Sequence, residues 1–383
     1  MKHVFSLIIC SLLACSLWNL ACAAEPFVRC GGSFAIVRGD DGTLYGWGDG
    51  RKGQLGNEKK KLVKLPETLS WSFTAEISDI QCGNENTLIL LQDGTVWTCG
   101  SNSYGQQART GGNVVSPVRI DGLSQIVQIA SGFGHCLALR TDGTVYAWGR
   151  GSNGQLGDGK KKNRSTPEIV DLPEITYIAC GGKYSLCVTQ DGSVYGFGDN
   201  EYGQLGRQNG KKTVLFPVKL EFPVPGDYLI TVAAAGGDTA YCLDEAGRVW
   251  AWGRNDYYQT GVSGIGDKVY APVQMHFPDG IEVRSIHAYS GHTAIVSTDG
   301  ALIQWGHVSN GVRGCLSSPF KGLPTIISPD GGVVDMDNGS LFVCILLSDG
   351  TVMTSGDNTY AQLGVLKWKQ GLWSDTGLRL ITK

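Results

Sequence analysis

Asp142-Gly143-Thr144-Val145-Tyr146-Ala147-Trp148-Gly149 is a turn, an alternating run and a closing glycine. Asp-Gly is a strong hairpin signal, because glycine takes positive φ without a Cβ penalty. Residues 144–148 alternate as a strand between two environments does. The phrase recurs as DGTLYGWG from Asp41, DGTVWTCG from Asp93, DGSVYGFG from Asp191, EAGRVWAWG from Glu245, DGALIQWG from Asp299 and DGTVMTSG from Asp349. Its first glycines lie 52, 49, 49, 55, 53 and 50 residues apart. A period near 50 that fills the chain from Val28 onward is one repeat architecture and not a string of domains.

Working outward from Asp142, one unit reads as four short extended pieces. Pro117-Val118-Arg119-Ile120 opens on a proline that suits a strand start. Residues 126–130 and 135–139 follow, and 144–148 form the fourth. Four antiparallel strands per period, seven times over, predict an all-β, seven-bladed β-propeller of four-stranded blades. The 55 glycines and 17% charged residues suit short strands and tight turns. Cys30, Cys82, Ser131, Cys180, Ala235, Ala288 and Asn338 share one small-residue slot, expected nearest the axis. Glycine follows this slot in every repeat except one, where Tyr289 stands. Trp47, Trp148, Phe197, Trp252 and Trp305 precede the closing glycine and are expected to pack between neighbouring blades. The first repeat lacks a proline-led strand and residues 377–381 form a spare one, so the C-terminal strand is expected in the first blade, closing the ring.

Residues 1–23 read as a cleaved signal peptide: an uncharged apolar run from Val4 to Leu13, then Ala21-Cys22-Ala23 as a small-x-small cleavage site. Leu12-Leu13-Ala14-Cys15 resembles a lipobox, which offers lipid attachment at Cys15 as a second reading. Residues 24–383 would then be one exported propeller domain, secreted or periplasmic, with no transmembrane segment and expected to be monomeric. Without Lys2 it carries 31 basic and 35 acidic residues, a balance that attracts neither nucleic acid nor an anionic membrane. Nine cysteines remain in it, an odd number. Disulfides are permitted outside the cytosol but nothing in the spacing demands them. No C-x-x-C metal spacing occurs, and no cofactor or metal is expected.

The fuller repeat, I-x-x-I-x-C-G-x-x-H-[TS]-x-A-L-x-x-D-G-x-V-Y-x-W-G-x-N-x-x-G-Q-L-G, resembles the regulator of chromosome condensation repeat family over essentially the whole mature chain. Residues 129–157 and 178–206 are its best copies, and Gly311-Val312-Arg313-Gly314 departs most. The resemblance implies a seven-bladed propeller. It also implies a protein-binding or inhibitor module, since a related secreted propeller inhibits an enzyme by covering its active site. The alternative it implies is a secreted effector acting as a guanine nucleotide exchange factor on a host small GTPase. A fold hosts many functions, so the site must decide.

The glycine-rich stretches 48–53 and 149–154 match a dinucleotide fingerprint in letters only, because neither opens a helix in a βαβ unit. His135 and His292 share a slot with Phe34, Asn86, Tyr184, Thr239 and Phe342, which marks packing positions. No catalytic constellation is readable, so no enzyme is expected; a lyase or hydrolase would need carboxylates and histidines gathered at the central channel. Asn163 and Asn338 head glycosylation sequons, the second in the tight inner slot. The unusual feature is lysine placement: Lys59, Lys60, Lys61, Lys160, Lys161, Lys162, Lys211 and Lys212 all follow the Gln-Leu-Gly phrase. Equivalent loops share one side of a propeller, so these eight are expected to form a basic rim for a protein partner or an acidic or anionic ligand. Few aromatics interleave with them, against a nucleic-acid platform.

Overall fold

The computed structural model describes residues 25–206, 212–222, 230–262, 264, 266–278, 280–307, 324–327, 331–368 and 372–381. Seven antiparallel four-stranded sheets stand in a ring, and no helix occurs among the described residues. The blades span 27–68, 77–119, 126–169, 175–219, 230–274, 283–326 and 333–379. Each runs from its innermost strand to its outermost in chain order. The all-β, seven-bladed expectation is met. The signal segment with Cys15, the loop at 311–314 and Lys211 lie outside the described residues.

The strand grouping differs from the expectation by one strand. Val114–Arg119 pairs with Val96–Gly100, so the proline-led strand ends one blade and does not begin the next. Pro66, Pro117, Pro167, Pro217 and Pro272 all lie on outermost strands. There a missing N–H leaves no partner unbonded. By the same shift Ser374–Arg379 is the outer strand of blade 7 and not of blade 1, which is complete with its own Leu62–Thr68. The C-terminal segment still reaches the first blade, because Leu380 O accepts from Asp40 N at 2.8 Å.

Blade 3 shows how residues set the geometry. Ile126–Ser131 is innermost, then come His135–Arg140, Val145–Gly149 and Arg164–Ile169. Every side chain of 135–139 is buried, because blades press on both faces of this strand. Gly132 lies under the His135 ring, where a Cβ would approach to 2.5 Å. Gly48, at φ 96, turns the chain where a Cβ would meet Ser33 O at 2.5 Å.

The buried tryptophans sit between blades as expected, and each also makes a bond the sequence did not announce. Trp148 Nε1 donates to Gln106 O of the preceding blade at 3.0 Å. Trp252 donates likewise to Gln204 O at 2.9 Å and Trp305 to Gln259 O at 2.6 Å. Trp47 donates to Gln362 O at 2.9 Å and so joins blade 1 to blade 7.

His135 is wholly buried with its Nε2 3.0 Å from Ser185 Oγ, and burial holds its pKa down to about 3. The unfolded chain binds a proton near pH 6.5 and the folded one only near 3, so stability falls as pH drops through that window. The slope approaches about 1.4 kcal/mol per pH unit. Replacing His135 with Phe, which two other blades carry in this slot, should flatten that slope in urea titrations between pH 6.5 and 3.5. An unchanged slope would place the acid sensitivity elsewhere. Deleting 374–383 should bare the third strand of blade 7 and abolish a single cooperative melt, whereas a midpoint shift under ~2 °C would make that strand dispensable.

Candidate functional site

Alternation of the strands sorts the connections onto two faces. The Asp-Gly turns between second and third strands lie on one, here the turn face. The Gln-Leu-Gly loops between third and fourth strands lie on the other, the loop face. Asp41, Asp93, Asp142, Asp191, Asp299 and Asp349 each accept from a backbone N–H of their own turn. Hydroxyls of the same turns, the Arg140 guanidinium at Asp142 and these backbone donors together hold the carboxyls below their usual range. The recurrent acids are turn-formers and collect on one side.

The loop face is basic over blades 1 to 3. Residues 49–61 carry Arg51, Lys52, Lys59, Lys60 and Lys61 against Asp49 and Glu58; residues 150–164 carry Arg150, Lys160, Lys161, Lys162 and Arg164 against Asp158. Lys59, Lys60, Lys61, Lys160, Lys161, Lys162 and Lys212 are all exposed. They do not form one continuous rim. Lys59 Nζ lies 3.0 Å from Glu67 and Lys61 4.0 Å from the same carboxylate, while Lys212 pairs with Glu201 at 3.0 Å. Blade 2, with Arg109 alone, separates the first lysine loop from the second. No described acid pairs with Lys160, Lys161 or Lys162.

Inside the lysines lies a set of residues that sequence reasoning missed. Four residues after the closing glycine stand Tyr104, Tyr202, Tyr257 and Tyr360. Three of them carry an arginine from the next blade: Arg150 over Tyr104 at 5.0 Å, Arg254 over Tyr202 at 4.8 Å and Arg51 over Tyr360 at 4.9 Å. Such stacks contribute about 0.5–1 kcal/mol each at exposed sites, and they hold flat guanidinium groups across blade seams. For two of the three the signal was legible, as Tyr before Gly-Gln in one repeat and Arg just after the closing glycine in the next; Tyr360 stands before Ala-Gln, and Arg51 is the third residue after its glycine.

The axis holds a channel of about 370 Å³ lined by innermost strands. Its charged groups are engaged with backbone. Asp335 Oδ2 accepts from Val28 N at 2.9 Å and from Arg29 at 3.1 Å; Asp337 Oδ2 accepts from Cys30 N at 2.8 Å. Arg29 also meets Asp79 of blade 2 at 3.4 Å. Burial works to lower the Arg29 pKa, but these carboxylates raise it above its ordinary value. Gln128 does the same service for Ile178 with both ends of its amide. Tyr289 reaches Phe133 of blade 3 with ring centroids 5.5 Å apart. Blades 3 and 6 are not neighbours, so this contact crosses the ring and covers the loop-face mouth. Of the described cysteines, all eight are free. Asn338 is buried, as its slot required, whereas Asn163 is exposed. No group of three metal-ligating side chains occurs among the described residues.

Seven such blades in a ring define a β-propeller with broad loop faces and a channel whose polar groups hold its own strands. The chain belongs to the RCC1-like family: the family profile described as RCC1-like domain matches residues 24–233, and two RCC1 repeat profiles match 246–296 and 230–259. It is 35% identical over 101 residues to the zebrafish (Danio rerio) protein RCC2 homolog, covering 26% of this chain and 20% of that protein. It is 30% identical over 139 residues to the mouse (Mus musculus) regulator of chromosome condensation, covering 35% and 32%. The chain thus spans a third or less of these relatives. The crystal structure of human WBSCR16 matches with TM-score 0.73 and 27% identity over 85% of this chain and 87% of that one.

Arg29→Gln should leave Asp79 and Asp335 without the cation they share and cost about 2–4 kcal/mol, less than a fully buried pair because these side chains keep some solvent exposure. Equilibrium urea unfolding at pH 7 measures it. A loss below ~0.5 kcal/mol would show that the backbone bonds alone close the seam.

Proposed function

We propose that this protein is an exported interaction module that docks an acidic protein partner on its loop face. The reading is supported by charge separation between faces: bases in the long loops of blades 1 to 3, acids in the turns opposite. Recognition by such a face rests on a few aromatic and arginine anchors within many weak contacts. Tyr104, Tyr257 and Tyr360 are exposed by 36%, 47% and 38%, among the larger apolar surfaces outside the blades' interior. The tyrosine rings already carry guanidinium groups, which leaves them poorly placed as base-stacking platforms and favours protein over single-stranded nucleic acid. Residues 1–23 would direct export, to the periplasm or the medium.

The test is affinity capture with purified residues 24–383 against envelope extract and, separately, host-cell lysate, repeated with all eight lysines changed to glutamate. A discrete partner that is lost in the variant and weakened from 50 to 300 mM salt is the expected result. Retention by the variant at both salt concentrations would remove the basic face from the function. If the captured protein is a small GTPase that then releases nucleotide faster, the exchange-factor reading replaces this one.

A further inference from the structure

On the loop face, the first and third residues after six of the seven closing glycines form a couple: Asp49 with Arg51, Ser101 with Ser103, Arg150 with Ser152, Asp199 with Glu201, Arg254 with Asp256 and Asp357 with Thr359. These couples vary from blade to blade, while the glycine before them and the glutamine after them do not. Two contain an arginine whose charge is met inside the couple. Arg51 makes two bonds to Asp49, at 3.0 and 2.8 Å. Arg254 makes two to Asp256, at 2.9 and 2.7 Å, and lies 3.4 Å from Asp238.

Blade 3 departs. Arg150 is stacked on Tyr104 like the others, but its couple offers a hydroxyl: Nε donates to Ser152 Oγ at 3.0 Å. No acid among the described residues pairs with it. Its backbone is anchored, since Arg150 N donates to Gly134 O at 2.8 Å. Gly151 N donates to Asn163 Oδ1 at 3.1 Å, which folds the loop back and brings Lys162 beside Gly151. A half-buried guanidinium held over an aromatic ring, its two terminal nitrogens without a partner among the described residues and three exposed lysines in the same loop, is a preformed carboxylate fork.

We infer that Arg150, carried by Tyr104 and flanked by Lys160, Lys161 and Lys162, is the anchor for an extended acidic peptide segment of the partner. This rests on the loop-face reading above and specifies its centre. The cations are strung along one loop, so a run of spaced carboxylates fits better than a single point anion. The stack lowers the cost of ordering Arg150 on binding, because the side chain is already held.

The experiment is fluorescence anisotropy with a fluorescein-labelled decapeptide of alternating Glu and Asp, at 50 mM and 150 mM salt, on the whole mature chain. Wild type should bind saturably. Arg150→Gln should weaken binding about tenfold or more, and Tyr104→Leu several-fold by releasing the arginine. Arg51→Gln, whose charge Asp49 already meets, should stay within about twofold. Arg150→Lys should restore only part of the affinity, because an ammonium neither stacks flat nor forks. Equal loss in the Arg150 and Arg51 variants, or no saturable binding by wild type, would overturn the proposal. The capture assay separates this from the broader reading. Partner retained by Arg150→Gln but lost with the eight lysines changed removes Arg150 alone; partner retained by both removes the loop face as well.

Discussion

Six of the seven blade seams turn on one main-chain carbonyl, that of the glutamine in the Gly-Gln, Tyr-Gln or Ala-Gln phrase. That glutamine folds its own loop first: the side-chain oxygens of Gln54, Gln106, Gln155, Gln204, Gln259 and Gln362 each accept from the backbone N–H two residues earlier. Its main-chain oxygen then faces the next blade, where an indole N–H takes it in four seams. A buried carbonyl without a donor costs about 1–3 kcal/mol, and two seams lacking tryptophan supply another donor. Thr87 Oγ1 serves Gln54 O at 2.7 Å, and Ser185 Oγ serves Gln155 O at 2.9 Å. One residue type therefore fixes both the loop that carries the variable couple and the seam over which the Arg–Tyr stacks lie.

The period and the glycine slots made the ring legible, because each states a constraint that recurs seven times and noise does not. The strand grouping was not legible. A proline-led run reads equally well as the start of one unit or the end of another until hydrogen bonding places it at the outer edge. The lysine loops were visible as letters, but Glu67 and Glu201 lie outside the phrase, and their pairing with Lys59 and Lys212 depends on how a loop lies over its neighbouring strand. Arg150 escaped notice because its meaning is comparative. It stands out only beside Arg51 and Arg254, once each guanidinium has been traced to its acid.

The innermost strands pose a different problem. Their channel-facing edges carry backbone groups with no strand partner, which in an open sheet would recruit another strand. Here the neighbouring blade supplies side chains instead: Gln128 for Ile178, Asp335 for Val28, Asp337 for Cys30. At the seam between blades 7 and 1 these are carboxylates, and Arg29 of blade 1 balances Asp335 across that same seam. The carboxylates that a channel-centred enzyme would need are thus committed to holding strands. Tyr289, the one departure from the glycine that follows the small slot, spends the space so gained on covering the mouth with Phe133.

A net charge of −3 averages over a molecule whose two faces differ in sign. The blade strands are mostly five or six residues long, which separates turn face from loop face by roughly 17–20 Å. The Debye length at physiological salt is about 8 Å. A partner approaching the loop face is therefore screened from the turn aspartates by about two such lengths and meets a basic surface, whatever the sum over the chain. The repeat itself enforces this. An acid in an Asp-Gly turn can point only to one side and a lysine after Gln-Leu-Gly only to the other, so the phrase that builds the ring also polarises it. Total charge, read before the fold, averages this polarity away.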